Sequence, residues 1–250
     1  MINSIIHILE MICMAIGIIG AMKEEVAGLI EKLSHSCQTT VAGLTFYQGK
    51  LVNHPVVVVQ SGIGKVNAAM CTQILIDHFS VSAIINTGVA GGVKPAAAIG
   101  DVAIATHAMH HDFDVTVFGY DHGTVPGLET SCFAADSLLQ QIATASAHKV
   151  LGAKRTHSGI IVSGDQFIAS TERKQYLDQK FNALCAEMEG AAIAHVAYLN
   201  QIPYCIIRII SDQADASAPD DFNSFIAKII PDLNQIVIEI VRAYSDCSNR

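Results

Sequence analysis

Four valines in a row, Val56–Val59, set the first limit on the fold. Successive side chains of a strand point to opposite faces, so an unbroken apolar run needs cover on both, which a sheet between helix layers provides. Pro55–Gln60 encloses these valines, and similar runs recur at Ala15–Ile19, Ala83–Thr87, Asp101–Thr106, Ile160–Ser163 and Tyr204–Ile210. Segments of helical character separate them: Glu24–Leu33, Lys65–Phe79, Cys132–Lys149, Glu189–Leu199 and Asp221–Ala243. Strand and helix alternate, so the class is α/β. The segment EGAAIAHVAYL is apolar nearly all round and is expected to pass through the core. One hairpin, LTFYQGKLVNHPVVVV, interrupts the alternation, with Asn53, His54 and Pro55 as its turn.

A chain of 250 residues, 51% hydrophobic and only 15% charged, holds material for one large core, and no repeat, charge block or low-complexity linker divides it. Asp and Glu outnumber Lys and Arg by 23 to 15, and the net charge of -8 repels phosphodiester backbones and anionic lipid headgroups. Nucleic acid and membrane surfaces are therefore poor partners. The mean hydropathy of +0.39 raises the question of a membrane span, but the best uncharged apolar run, Met11–Met22, falls short of the roughly 20 residues required. The opening MINSIIHILEMIC lacks the basic start and the cleavage site of a secretory signal. It reads as an N-terminal extension, 1–13, ahead of one domain, 14–250, that opens on the strand start MAIGIIGAM. The 7 cysteines, odd in number and without a CxxC pair, read as small buried hydrophobes of a reducing cytoplasm. Low charge also hints at surface covered by a partner subunit.

GIIGAM, Gly17–Met22, stands where a dinucleotide-binding fold carries its fingerprint, but the GxGxxG spacing is absent and Glu24 and Glu25 occupy the place where a pyrophosphate would arrive. NAD and FAD are thereby disfavoured. SGIGKVNAA, from Ser61, lacks P-loop spacing and is either a strand-to-helix turn or a ligand contact. NTGVAGGV, from Asn86, places Gly88, Gly91 and Gly92 directly after a buried strand, where they allow close backbone approach and positive φ, for a ligand or simply for a tight turn. The one metal-like constellation is HAMHHDFD, with His107, His110, His111, Asp112 and Asp114. Residues 101–106 read as a strand whose side chains alternate between faces, so these ligands would converge only if the chain turned at once.

Ligand chemistry in open α/β sheets gathers beyond the carboxyl ends of strands. Three carboxylates stand there: Glu25 after AIGIIG, Glu189 after NALCAEM and Asp212 after YCIIRIIS. Glu25 and Glu189 are equally explained as acids that favour a helix N-terminus. Asp212, at the buried rim of an apolar strand, is expected to have a raised pKa that makes it a proton donor. Arg208, inside the same strand, needs hydrogen-bonded partners, either one of the glutamates or a polar ligand; a purely structural ion pair is the other reading. A proton-donating acid opposite a carboxylate that activates water is what hydrolysis of a glycosidic bond requires.

Seven segments, in order, resemble one family: GIIGAMKEEV, SGIGKVNAA, INTGVAGG, DVTVFGY, VSGDQFI, EMEGAAIAHV and RIISDQAD. Together they are similar to blocks of the 5'-methylthioadenosine/S-adenosylhomocysteine nucleosidases, within the nucleoside phosphorylase superfamily, from about Met14 nearly to the C-terminus. The resemblance implies a single-domain three-layer α/β/α sandwich with a central mixed, partly barrel-like sheet. It implies hydrolysis of the N-glycosidic bond of adenine nucleosides modified at the 5' position, with no metal or organic cofactor. On it, Asp212 is expected to protonate adenine N7, Glu25 to activate water, and Glu189 to hold the ribose hydroxyls beside Met188. Phe167 and Ile168 would meet the adenine, Ser211 and Arg208 would support Asp212 and the water site, and Phe222 would close over the base or sugar. Val89 and Gly91 complete the substrate-binding set; Val89 stands where some relatives have Ser, which removes a hydroxyl near the water. The family also implies a homodimer, with Phe118 and Pro126 entering the partner's 5' pocket. Two competitors are a purine nucleoside phosphorylase, for which Glu24 and Glu25 would repel the phosphate, and a non-catalytic nucleoside-binding protein, against which Glu25, Glu189 and Asp212 together argue.

Overall fold

A computed structural model describes residues 15–248, the side chains of 223, 224 and 246–248 aside; the extension read at 1–13, with Cys13, lies outside them. The strands are β1 (Ile16–Gly20), β2 (Ser34–Val41), β3 (Leu44–Leu51), β4 (His54–Gln60), β5 (Ala83–Gly92), β6 (Val102–His110), β7 (Phe133–Ala134), β8 (Thr156–Ser163), β9 (Ala183–Glu187) and β10 (Tyr204–Asp212). The helices are α1 (Lys23–Ile30), α2 (Lys65–Phe79), α3 (Ser137–Leu151), α4 (Thr171–Phe181), α5 (Gly190–Asn200) and α6 (Ala218–Ser248).

Alternate residues of the apolar strands enter two different cores. Ile16, Ile18, Val56, Val58 and Ile85 pack under α1, α3 and α6, while Ile19, Val57, Val59 and Ile84 pack under α2 and α5. This is the two-sided burial that the valine run demands, in a mixed sheet with helices on both sides. β5 organises the sheet. Its first half lies between parallel β1 and β10, and the β1 pairing ends at Ile19 with Asn86. Antiparallel β9 takes up the second half at Gly91 and Gly92. Through β10–β6, β6–β8 and β8–β9 the ring closes on β5, which makes one end of the sheet a five-strand barrel; β4, β3 and β2 extend the other end from β1. Between the departure of β1 and the arrival of β9, the segment Thr87–Ala90 keeps β10 on one side and opens a crevice on the other.

Several local readings change. Gly88, Gly91 and Gly92 lie inside β5, not after it, and none has positive φ. What they supply is room, since a Cβ on Gly88 would stand 2.6 Å from Glu25 Oε1 and one on Gly91 would stand 2.8 Å from Asp212 Oδ1. The hairpin turn is Val52–Asn53, both with positive φ, so His54 and Pro55 belong to β4. Residues 132–136 are not helical: Phe133 and Ala134 pair with β6, and α3 starts only where the Asp136 side chain accepts the Leu139 N–H at 2.9 Å. Helix α5 buries its first turn but leaves Leu199 58% exposed, so it lies along the sheet and emerges from the core. Cys71, Cys185 and Cys205 are buried as expected, whereas Cys37 is exposed on β2.

Candidate active site

Glu25 sits in the first turn of α1, the helix that follows β1. Its side chain folds back to the helix start, where Oε2 accepts the N–H groups of Ala21 at 2.7 Å and Met22 at 2.9 Å. Oε1 accepts the N–H of Val89 across the crevice at 3.1 Å. Burial pushes this carboxyl above the ordinary value, against the opposing pull of Arg208 and the three amides. Three bonds to a group with about four lone-pair sites leave one free to meet a water or hydroxyl.

Glu189 and its neighbour Glu187 flank the start of α5. Glu187 ends β9 and points back into the core, where its Oε2 receives Arg208 Nη2 at 2.5 Å and the Gly190 N–H at 2.8 Å. Ser163 Oγ and the Glu189 N–H also donate to it. Arg208 is 1% exposed and bonds Asn86 Oδ1 as well, so the buried guanidinium has its counter-charge. Glu189 turns the other way and accepts the Gly64 N–H at 2.8 Å. Burial, and then the adjacent charge of Glu187, push the Glu189 carboxyl up to about 8. Asp212 closes β10: Oδ1 accepts the Ala214 N–H at 2.8 Å and Oδ2 the Ser211 hydroxyl at 2.8 Å, while burial raises its pKa over these two bonds.

The crevice beside β5 widens into a cavity of about 280 Å³. Glu25, Val89, Gly91, Phe167, Ile168, Met188, Glu189, Ser211, Asp212 and Phe222 all line it. Phe167 and Phe222 meet edge to face, centroids 6.2 Å apart, across one side. Arg208 does not reach the cavity; it stands behind Glu25 and Glu187. Phe118 and Pro126 are exposed away from this lining, Phe118 at 78%. Glu187 lines the cavity too, and sequence reasoning passed it over. Arg208 was its signal, because a cation inside an apolar strand requires a buried acid. The histidine-rich segment disperses. β6 runs on to His110, His110 meets His195 and Phe133 edge to face, His111 meets Arg173, and no group of three or more His, Cys, Asp or Glu among the described residues is arranged to hold a metal.

The sequence model of the phosphorylase superfamily matches residues 15–242. Over 216 residues, 86% of this chain and 92% of the relative, the sequence is 44% identical to the 5'-methylthioadenosine/S-adenosylhomocysteine nucleosidase of Anoxybacillus flavithermus. The chain belongs to this nucleosidase family. Among solved nucleosidases, the Neisseria meningitidis protein in complex with methylthio-immucillin-A superposes with a TM-score of 0.88 at 38% identity, over 92% of this chain and 99% of that one. The futalosine hydrolase of Helicobacter pylori also matches, at TM-score 0.88 and 31% identity over 92% and 98% of the two chains. A nucleosidase fold thus carries the cavity, and the residues at issue within it are those lining β5, α1, α5 and the end of β10.

Proposed function

We propose that the chain hydrolyses the N-glycosidic bond of 5'-methylthioadenosine and S-adenosylhomocysteine, releasing adenine and the 5-modified ribose. One observation carries the reading: Glu25, Glu187, Glu189 and Asp212 line a single cavity, and none of the described residues that line it is Lys, Arg or His. A phosphate dianion would find four acids and no cation there, which speaks against phosphorolysis. Glu25 and Asp212 approach β5 at Gly88 and Gly91, three residues apart, a span of roughly 10 Å of extended chain that accommodates a sugar between them.

Adenine leaves poorly as an anion. Asp212, whose carboxyl burial holds above its ordinary range, donates to the departing base at N7, a general-acid contribution of about 10²- to 10⁴-fold. Positive charge then develops on the ribose, and the neighbouring carboxylates favour it. Glu25 holds the incoming water on its remaining lone pair and takes its proton. Glu189 and Met188 bind the ribose, Phe167 and Ile168 the base, and Phe222 covers the site. Val89 replaces a hydroxyl with an apolar contact beside the water. Val117, Phe118 and Tyr120 are 86%, 78% and 45% exposed, which supports a homodimer in which Phe118 and Pro126 complete the partner's 5' pocket. Buried free thiols at Cys71, Cys185 and Cys205 suit a reducing cytoplasm.

The test is to incubate the purified chain with methylthioadenosine, with and without phosphate, and to assay free adenine. Release independent of phosphate is expected. Strict dependence on phosphate would select a phosphorylase, and tight binding without release would select a nucleoside-binding protein.

A further inference from the structure

Three chain segments that emerge from the carboxyl ends of β4, β6 and β8 are joined at the rim of the cavity by a closed set of polar bonds. Lys65, at the start of α2, donates its backbone N–H to Asp165 Oδ1 at 2.8 Å. Asp165 donates its own N–H to Asp112 Oδ2 at 2.9 Å, and Lys65 Nζ returns to Asp112 Oδ1 at 2.5 Å. The preceding residue, Gly64, gives its N–H to Glu189, and Ile63 lines the cavity. The residues after Asp165, namely Gln166, Phe167 and Ile168, line the cavity as well. Lys65, Asp112 and Asp165 thus connect the wall that bonds Glu189 to the wall that carries Phe167.

Two glycines make this junction possible. A Cβ on Gly164 would stand 2.5 Å from His111 Cε1 and 3.0 Å from Asp112 Cγ, so the loop backbone lies directly on the His111–Asp112 pair. Gly64 has φ +98° and would bring a Cβ within 3.0 Å of Asp165 Oδ1. The ion pair is only partly open to water, with side chains 20% exposed at Lys65 and 12% at Asp112, so solvent screens it less than a surface pair. Burial alone would raise the Asp112 carboxyl, but the Lys65 ammonium and the Asp165 amide hold it below the ordinary range.

We propose that Lys65, Asp112 and Asp165 form a latch that fixes the distance between the base-side and sugar-side walls of the cavity, and that they are positioning residues for nucleoside binding. The proposal rests on the nucleosidase reading of the cavity. None of the three lines it, so their effect passes through the loops they join.

The experiment measures KM and kcat for methylthioadenosine, and the Kd of adenine by calorimetry, for Lys65→Met, Asp112→Asn and the double variant. KM and the adenine Kd should each rise about tenfold in either single variant, with kcat within about threefold of the parent. The double variant should be no worse than the singles, because both remove the same contact. Lys94→Gln, which breaks the Lys94–Asp178 pair elsewhere on the surface, serves as the control and should leave all three constants unchanged. Lys65→Met tests the latch from a partly open side chain and keeps the backbone bond to Asp165, so it reports even if Asp112→Asn is insoluble. Parental KM and Kd in folded variants, or losses that multiply in the double variant, would overturn the latch. Absence of adenine release from the unaltered chain would instead remove the reading on which it rests.

Discussion

Replacing Glu189 with Gln should stabilise the fold while impairing the reaction. Glu189 is 7% exposed, and burial followed by the charge of Glu187 moves its carboxyl from 4.5 up to about 8. In the unfolded chain the same acid ionises near its ordinary value. Between these two pKa values the folded state therefore keeps a proton that the unfolded state has released, and stability falls as pH rises. The loss is about 1.4 kcal/mol per pH unit in that window, which reaches about 3 kcal/mol at pH 7. Gln never ionises, and its carbonyl can accept the Gly64 N–H in place of Glu189 Oε1. For a chain of this size, about 3 kcal/mol corresponds to a Tm gain of roughly 6–12 °C. Calorimetry of both proteins at one fixed concentration should show a small gain near pH 5 that grows up to about pH 8 and then levels. Adenine release should drop in the same variant, since the amide NH2 that takes the place of Glu189 Oε2 can only donate, whereas the oxygen there can accept from a ribose hydroxyl. A gain that does not depend on pH, or a loss of stability at pH 7 to 8, would refute this account of Glu189.

Asp212→Asn should retain methylthioadenosine binding and lose about 10²- to 10⁴-fold in turnover, as read by a single-turnover assay. In the parent, activity should decline as pH rises through the raised pKa of Asp212, and that limb should be missing from the residual activity of the variant. Gly88→Ala puts a Cβ 2.6 Å from Glu25 Oε1 and must displace that carboxylate; kcat should fall at least about tenfold while circular dichroism reports a retained fold. Arg208→Leu strands the Glu187 carboxylate in the core, at a cost of about 3–5 kcal/mol visible in the urea midpoint, and acid should relieve part of the loss by protonating Glu187.

The two-sided strands were legible because burial on both faces writes itself into consecutive residues, as at Val56–Val59 and Tyr204–Ile210. Elements with little burial left no such trace. β2, SHSCQTTV, is exposed over nearly its whole length and is held by pairing to β3, and α4, TERKQYLDQKF, buries only Leu177 and Phe181. The hand-over of β5 from β1 to β9 depends on pairings between distant segments, which no local pattern encodes. At the site, the acids beyond strand ends could be found by position. Glu187 stayed hidden because what singles it out is its bond to Arg208, which arrives from a different strand. The Lys65–Asp112–Asp165 junction was concealed for the same reason, since each member sits in a motif that looks self-contained along the chain.

Glu25 is also a surrogate for the neighbour that β5 lacks. Past the point where β1 turns away, the Val89 amide is satisfied by a side chain, and the same carboxylate corks the amides of Ala21 and Met22. Removing it would uncork three main-chain donors at once. Hydrogen exchange at Ala21, Met22 and Val89 should then quicken together, so that losing the water-activating group and loosening the seam between barrel and open sheet become a single event.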